Sequence, residues 1–220
     1  ACVAVSLPIT ENFDASLNLP DCWNIAETGS TYWDVILMSN FPANSAPNSF
    51  YFYNSDNSSK IALVSPMPHV TSLSELKINF AARHSWQDGN ELEIGTMSDP
   101  FDISTFNLIE TVVLPGSNWG QFEVWFNNYT GTDTYIAISQ PSSQTYQYLY
   151  LDDITIDYLP TCLNPVDLSV DETTLTSAKL HWTESATATE WTIEVGLPGF
   201  APGIGAYSQI YENITPAEYN

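Results

Sequence analysis

Two adjacent aspartates in the most regular strand pattern of the sequence are the side chains best suited to a chemical role. Asp152 and Asp153 lie in the segment 146–160, whose residues alternate as in a β-strand. Alternation predicts that Asp152 shares a face with Ile154 and Ile156. A carboxylate on an apolar face is costly unless it is paired with a cation, hydrogen-bonded or bound to a metal.

The chain offers few side-chain cations to pair with this carboxylate. Against 26 acidic residues it has four basic ones: Lys60, Lys77, Arg83 and Lys179. A hard cation is therefore the more economical partner. Calcium suits this role because it binds carboxylates together with backbone and Asn carbonyl oxygens.

Aromatic side chains form a second kind of candidate site. After Trp119 the sequence alternates, which places Phe122 and Val124 on one face of a strand and Trp125 on its polar face. An aromatic ring among polar groups can stack on a sugar ring, so we predict ligand binding by Trp125 with Trp119 and Tyr129. The alternative is that Trp125 packs beneath a loop, as large aromatic side chains usually do.

The sequence gives little support for catalysis. His69, His84 and His181 lie in unrelated contexts, and His84 beside Ser85 does not make a triad by adjacency alone. We therefore predict that the protein is not an enzyme.

Short strand-like segments follow one another from residue 7 to residue 159, without helical periodicity. This pattern predicts an all-β domain, a jelly-roll β-sandwich. A jelly roll places its first and last strands side by side, which would bring Glu11 and Asp14 to Asp152 and Asp153. We predict a Ca²⁺ ion among these four carboxylates. The alternative is that the aspartate pair accepts backbone amides and that Glu11 and Asp14 are solvated.

A second acidic loop is a weaker candidate for calcium. Asp88 and Asn90 flank a glycine and supply suitable oxygens, but the loop lacks the spacing of an EF-hand. An ordinary Asp-Gly turn between two strands explains it better.

Charge and composition restrict the class of protein. The 220 residues carry a net charge of -22, which argues against binding to nucleic acid or to anionic membranes. The aromatic content of 13% with a charged content of 14% is typical of a secreted β-sheet protein rather than a disordered chain. No apolar run is long enough for a membrane helix, and no signal peptide is evident, so we expect a mature or excised fragment.

Three cysteines, Cys2, Cys22 and Cys162, lack the spacing of a metal site. Cys2 precedes the first strand and Cys162 follows the long strand pattern, so a Cys2–Cys162 disulfide would join adjacent ends. Pairing that involves Cys22, or three reduced thiols, also fits the sequence.

The pattern restarts after residue 160 with three further strand candidates, at 162–170, 177–182 and 190–196. They match the first half of a fibronectin type III domain, which needs seven strands. We therefore divide the chain into a jelly-roll domain at 1–159 and an incomplete fibronectin type III-like sandwich at 160–220.

An ordered series of segments carries a family resemblance: 7–14, 19–23, 65–66, 92–100, 135–138 and 150–156. Together they resemble the cleaved-adhesin or choice-of-anchor J modules of Bacteroidetes surface proteins. These modules are similar to the haemagglutinin-adhesin domains of gingipains and, more distantly, to MAM domains. Residues 162–165 and 199–203 resemble the fibronectin-like repeats that accompany such modules.

The resemblance implies a calcium-stabilised jelly roll within a large secreted or cell-surface protein. Its acidic positions match Glu11, Asp14, Asp152 and Asp153. We expect a non-catalytic extracellular adhesion or interaction module that binds a protein or a glycan and works beside other domains of its parent. The alternative is a carbohydrate-binding module attached to a glycan-active enzyme.

Overall fold

The computed structural model describes residues 2–28, 35–39, 42–53, 59–85, 89–143, 147–160, 165–174, 177–184, 188–201, 209–214 and 218–219. The chain divides into two compact units, Ala1–Leu159 and Pro160–Asn220. The described residues form strands and two single-turn 3₁₀ helices, Leu73–Glu75 and Ile103–Thr105, so the protein is all-β. None of its described helices is long and apolar enough to cross a membrane.

The described strands of the first unit are, in chain order, β1 (Ile9–Glu11), β2 (Asn24–Glu27), β3 (Val35–Ser39), β4 (Asn48–Tyr53), β5 (Ile61–Val64), β6 (Leu76–His84), β7 (Glu91–Met97), β8 (Asn107–Val113), β9 (Gly120–Trp125), β10 (Tyr135–Gln140) and β11 (Tyr148–Tyr158). They form two antiparallel sheets. Sheet one has the order β3-β4-β11-β6-β9, with β1 also paired to β11, and sheet two has the order β2-β5-β10-β7-β8. The first and last strands are thus neighbours, as a jelly roll requires, and Thr10 lies opposite Thr155.

The inner faces of the two sheets share one apolar core. Alternate residues of each strand point inward, and their burial supplies roughly 1.5–3 kcal/mol for each large aliphatic or aromatic side chain. Sheet one contributes Phe50, Phe52, Ile78, Phe80 and Val124, and sheet two contributes Ile61, Leu63, Leu92, Ile94 and Ile138. This core fixes which side chains of β4, β6, β9 and β11 face outward.

One prediction about β11 is wrong. Strict alternation placed Asp152 on the face of Ile154 and Ile156, but the pairing of β11 with β6 shifts register between Asp152 and Thr155. A β-bulge at this point adds one residue to β11, and Asp153 takes the left-handed backbone conformation, with φ of 49°.

The bulge changes which residues of β11 point to the core: odd-numbered residues before it and even-numbered residues after it. Leu149 and Leu151 before it and Ile154 and Ile156 after it all pack in the core. The strand therefore keeps an apolar inner face along its whole length while Asp152 turns outward. The carboxylate is still fully buried, but beneath a loop on the outer surface of sheet one.

A disulfide joins Cys2 to Cys22, with a Cα–Cα distance of 5.7 Å. Of the pairings that the sequence left open, the structure thus has one that involves Cys22, and the Cys2–Cys162 bond is excluded. Cys162 lies outside the described residues. The bond ties the segment before β1 to the turn that leads into β2.

The second unit contains, among its described residues, β12 (Val166–Asp171), β13 (Lys179–Thr183), β14 (Trp191–Val195), β15 (Gln209–Ile214) and β16 (Glu218–Tyr219). These strands form one sheet with the order β12-β13-β16 and a β14-β15 pair. Trp182 is buried and packs edge-on against Trp191, with ring centroids 5.4 Å apart. The two tryptophans thus lie at an apolar centre of this unit.

The Cys2–Cys22 bond should stabilise the first unit by limiting the freedom of the unfolded chain. For a sequence separation of 20 residues, loop closure is worth about 3 kcal/mol. We expect the double variant Cys2→Ser/Cys22→Ser to unfold several degrees below the parent in a thermal melt. Dithiothreitol should lower the melting temperature of the parent but not that of the double variant, and equal losses in both would contradict this assignment.

Candidate functional site

The bulge of β11 and the end of β1 meet at one edge of sheet one. We call this place the aspartate junction and define it by Glu11, Asp14, Asp152 and Asp153. Residues 42–47, which precede β4, close over it. The junction exists because β1 pairs with the second half of β11, where Glu11 lies opposite Ile154.

Asp152 holds the loop 42–47 to the sheet. Its Oδ2 accepts hydrogen bonds from the backbone N–H groups of Asn44, at 2.7 Å, and Ser45, at 2.9 Å, and its Oδ1 accepts one from the N–H of Asp153, at 2.8 Å. Burial raises the pKa of Asp152 to about 6, although the three N–H donors oppose this shift. The three N–H donors favour the ionised form of the side chain.

Asp153 binds the same loop through side chains. Its Oδ1 accepts a hydrogen bond from Ser45 Oγ at 2.7 Å, and its Oδ2 accepts one from Asn44 Nδ2 at 2.6 Å. The two aspartates thus match both the backbone and the side chains of one dipeptide. Asp152 therefore accepts backbone amides, as in the alternative to a calcium site, while Asp153 accepts hydrogen bonds from side chains of the loop.

Glu11 and Asp14 organise the chain that leaves β1. Glu11 Oε1 accepts a hydrogen bond from the N–H of Phe13 at 2.6 Å, and burial raises the pKa of Glu11. Asp14 Oδ1 accepts the N–H of Asn48 at 3.0 Å, while Asn48 Nδ2 donates to the carbonyl oxygen of Phe13 at 2.8 Å. The buried Asn48 Oδ1 has no hydrogen-bond partner among the residues that the structure describes.

The oxygens at the junction suit a hard cation. Glu11 and Asp153 line one cavity of about 380 Å³. The unpartnered Asn48 Oδ1 is a buried carbonyl oxygen that a cation would satisfy. No three His, Cys, Asp or Glu side chains within the described ranges lie close enough to hold a metal by themselves. A cation here would thus rely on amide and backbone oxygens beside carboxylates.

A second site involves one strand of each sheet, β8 of sheet two and β9 of sheet one. A cleft of about 1010 Å³ runs between β8 and β9 beneath the loop 127–133. Trp125 lines it and is half-buried, and its Nε1 donates to Glu123 Oε1 at 2.7 Å. Glu123 Oε2 in turn accepts hydrogen bonds from Lys77 at 2.5 Å and Asn79 at 3.0 Å, and the bond from Lys77 lowers the pKa of Glu123.

The loop over this cleft is held by an internal hydrogen bond. Tyr129 is buried, and its hydroxyl oxygen accepts the N–H of Asp133 at 2.8 Å. The loop turns back on itself at Gly131, where an added Cβ would come within 2.2 Å of the Tyr129 hydroxyl. Tyr129 therefore fixes the shape of the loop over the cleft, and Trp125 lines the cleft from β9.

The remaining candidates lie elsewhere. Trp119 is not part of the cleft lining and lies beside Arg83 instead, with the guanidinium 6.0 Å from its ring centroid. Asp88 lies outside the described residues, and the backbone carbonyl of the buried Asn90 accepts the N–H of Leu114. His69 is exposed, His84 is buried, and His181 lies 3.4 Å from Asp171.

Sequence reasoning missed the residues that complete the aspartate junction. Asn44 and Ser45 lie in a loop rich in Pro, Asn and Ser, which the sequence presents as an ordinary connection, and Asn48 begins β4 directly after it. Their role depends on a fold that brings residues 107 to 109 positions apart into contact. The available signal was the density of Asn and Ser, because these side chains bind carboxylates and backbone groups in turns.

The fold is that of a known group of β-sandwich domains. Two cleaved adhesin domains of Lys-gingipain are similar to this chain. The K2 domain aligns with a TM-score of 0.56 and 14% identity, covering 70% of this chain and 99% of that domain. The K1 domain, from Porphyromonas gingivalis W83, aligns with a TM-score of 0.52 and 16% identity over the same shares.

A third solved structure, the CBM22-1 xylan-binding domain from Paenibacillus barcinonensis, aligns with a TM-score of 0.47 and 9% identity, covering 71% of this chain and 97% of that domain. No protein-family model and no curated protein sequence matches the chain. At these identities the two Lys-gingipain domains establish an adhesin-like β-sandwich fold.

Replacing Asp152 should release the loop 42–47. Asp152→Ala leaves three backbone N–H groups without their acceptor, at a cost of roughly 1–3 kcal/mol for each group that stays buried. We expect the variant to lose about 3 kcal/mol or more in a urea titration, with faster hydrogen exchange at Asn44 and Ser45. Asp157→Ala is the matched control, because Asp157 lies on the same strand and accepts only the neighbouring N–H of Tyr158. Equal losses in the two variants would contradict the role given to Asp152.

Proposed function

We propose that the first unit is a non-catalytic adhesion or interaction module of a larger extracellular protein. The carrying observation is the cleft at Trp125, where an indole ring is braced by Glu123 within a polar surface. A braced aromatic ring offers a large contact area at low entropic cost, as in many binding surfaces. The fold shared with cleaved adhesin domains supports a binding role.

Secretion or display at the cell surface fits the covalent structure. A disulfide in a chain of this kind belongs to an oxidising compartment. The net charge of -22 keeps the protein away from nucleic acid and anionic lipid. Its partners would be an extracellular protein or glycan and the other domains of the parent. The second unit, as a fibronectin type III-like module, would act as a spacer.

Carbohydrate binding within a glycan-active enzyme is the second candidate function. The cleft lining favours it, because the indole is surrounded by hydrogen-bonding side chains such as Asn107, Asn127 and Thr130. Sugar rings need both an apolar surface and many polar partners, and this lining supplies both. A protein ligand would instead be expected to bury a broader apolar patch.

We further propose that Ca²⁺ stabilises the aspartate junction. Glu11 and Asp153, which line one cavity, would supply carboxylate oxygens, and Asn48 Oδ1 would supply an amide oxygen. Asp14 would hold Asn48 in place through its backbone N–H. Asp152 would act mainly by holding the loop that carries Asn44. The ion would offset the repulsion among four acidic side chains that, within the described residues, have no salt-bridge partner.

Calcium should therefore raise the melting temperature. A ligand that binds only the folded state stabilises it by RT ln(1 + [L]/Kd), which is about 4 kcal/mol when the free ion exceeds Kd by 1,000-fold. We expect a melt in about 1 mM Ca²⁺ to lie several degrees above a melt in excess EGTA. Asn48→Ala should abolish most of the difference, and Asp152→Ala should mimic chelation.

Glu110→Gln is the control for this experiment, because Glu110 is exposed and lies in the other sheet. It should retain the full response to calcium. A parent protein that melts at the same temperature in EGTA and in calcium would leave the junction as a hydrogen-bonded network without an ion.

Ligand binding at the cleft should depend on Trp125. We expect an array of extracellular proteins and neutral glycans to identify a ligand whose binding falls by about tenfold or more in Trp125→Ala, since a central aromatic contact is worth at least about 1.4 kcal/mol. Phe101→Ala serves as the control, because Phe101 is 71% exposed and does not line the cleft. A ligand that binds Trp125→Ala as tightly as the parent would move the binding site elsewhere.

A further inference from the structure

A second group of aromatic side chains covers the outer face of sheet one. Tyr51 and Tyr53 of β4 lie opposite Tyr150 and Tyr148 of β11. Their neighbours along both strands pack in the core, so the four rings point outward. The rings of Tyr53 and Tyr148 are stacked, with centroids 4.7 Å apart. We call these four rings, with Arg83 and Trp119, the tyrosine–arginine face.

Arg83 lies among these rings without an acidic partner. It pairs with Tyr150 across β6 and β11, and its guanidinium lies 5.8 Å from the ring centroid of Tyr150 and 6.0 Å from that of Trp119. Its Nε donates to the carbonyl oxygen of His84 at 3.3 Å. No carboxylate of the described residues forms a salt bridge with Arg83, whereas Lys60 and Lys77 are both paired.

This arrangement is unusual for so acidic a chain. The chain has 26 acidic residues and four basic ones, yet among the described residues no carboxylate pairs with the terminal nitrogens of Arg83. Its planar fork can bind a carboxylate through two parallel hydrogen bonds. The aromatic rings hold the guanidinium in place by cation–π contacts.

The side chains of this face are partly or fully buried. Tyr51 and Tyr150 are 6% and 5% exposed, while Tyr53, Tyr148 and Trp119 are half-buried. Burial raises the pKa of both Tyr51 and Tyr150, which keeps their phenols protonated. Side chains fixed on paired strands lose little entropy when a ligand binds.

We propose that the tyrosine–arginine face binds a saccharide that carries a carboxylate. The sugar ring stacks on Trp119 or on the stacked pair of Tyr53 and Tyr148, and the carboxylate binds the free nitrogens of Arg83. A densely charged polyanion does not fit, because the net charge of -22 repels it. The ligand therefore has isolated carboxylates, as uronic or sialic acids do. This site is distinct from the Trp125 cleft and goes beyond the proposed function.

The test is calorimetric titration of the whole chain with two matched pairs of sugars. These pairs are glucuronosyl-xylotriose with xylotriose, and sialyllactose with lactose, and each acidic member carries a single carboxylate. The acidic member of at least one pair should bind about tenfold more tightly than its neutral partner. Arg83→Gln should remove that preference, and Arg83→Lys should restore it only in part, because a lysine keeps the charge but not the fork.

Three further variants locate the effect. Trp119→Ala should weaken the binding of acidic sugars, while Lys60→Gln should leave it unchanged, because Lys60 is paired with Glu93 on sheet two. A thermal melt of each variant confirms that it folds. Trp125→Ala should leave acidic sugars bound, so a failure of the Trp125 cleft and a failure of this site are distinguishable.

Equal affinity for acidic and neutral members of both pairs would overturn the proposal. So would the absence of binding by both acidic sugars up to about 10 mM. Loss of acidic-sugar binding in Trp125→Ala but not in Arg83→Gln would assign these ligands to the cleft instead. Should Arg83→Gln fail to fold, the Trp119→Ala and Arg83→Lys titrations decide the question.

Discussion

The buried carboxylate of Asp152 is the constraint on which the outer surface of sheet one depends. A carboxylate with no solvent exposure must have its oxygens satisfied, and here three backbone N–H groups do so. The donors come from two places in the chain, the loop at Asn44 and Ser45 and the bulge itself at Asp153. The interaction therefore fixes the loop, the bulge and the start of β4 together, and the approach of β1 to β11 completes the aspartate junction around them.

Much of this fold can be predicted from the sequence because it rests on local alternation. The strand periodicity is strong enough to give an all-β sandwich, and the pairing of β1 with β11 follows from the jelly roll. The bulge could not be predicted in this way. A bulge adds one residue to a strand and leaves no mark in the composition. The core contains Leu149 and Leu151 before the bulge and Ile154 and Ile156 after it, which is possible only if the inward-facing positions change from odd to even numbers between them. A single-residue slip thus inverted the predicted environment of Asp152.

A candidate site could be predicted from the sequence when its residues are close together in the chain. Trp125 stands out on a polar strand face, and its alternation with Phe122 and Val124 is visible in the sequence. The partners of Asp152 and Asp153 are more than 100 positions away in the chain, so their roles depend on tertiary structure. The tyrosine–arginine face was hidden for a related reason. Its rings alternate with core residues on two strands, and only the register of β4 against β11 shows that they form one surface.

β9 connects the two candidate ligand sites, which are the tyrosine–arginine face of sheet one and the cleft between β9 and β8 of sheet two. Trp119 lies just before this strand and Trp125 at its end, six residues apart, so the two indoles are roughly 20 Å from one another along an extended chain. Glu123 and Lys77 form a salt bridge near Trp125, whereas Arg83 near Trp119 has no carboxylate partner in the part of the chain that the structure describes. The two sites therefore differ in electrostatic character although both present an aromatic ring. A ligand that contacts both sites would place its acidic group at Arg83 and its neutral part in the polar cleft, so it would bind in one orientation.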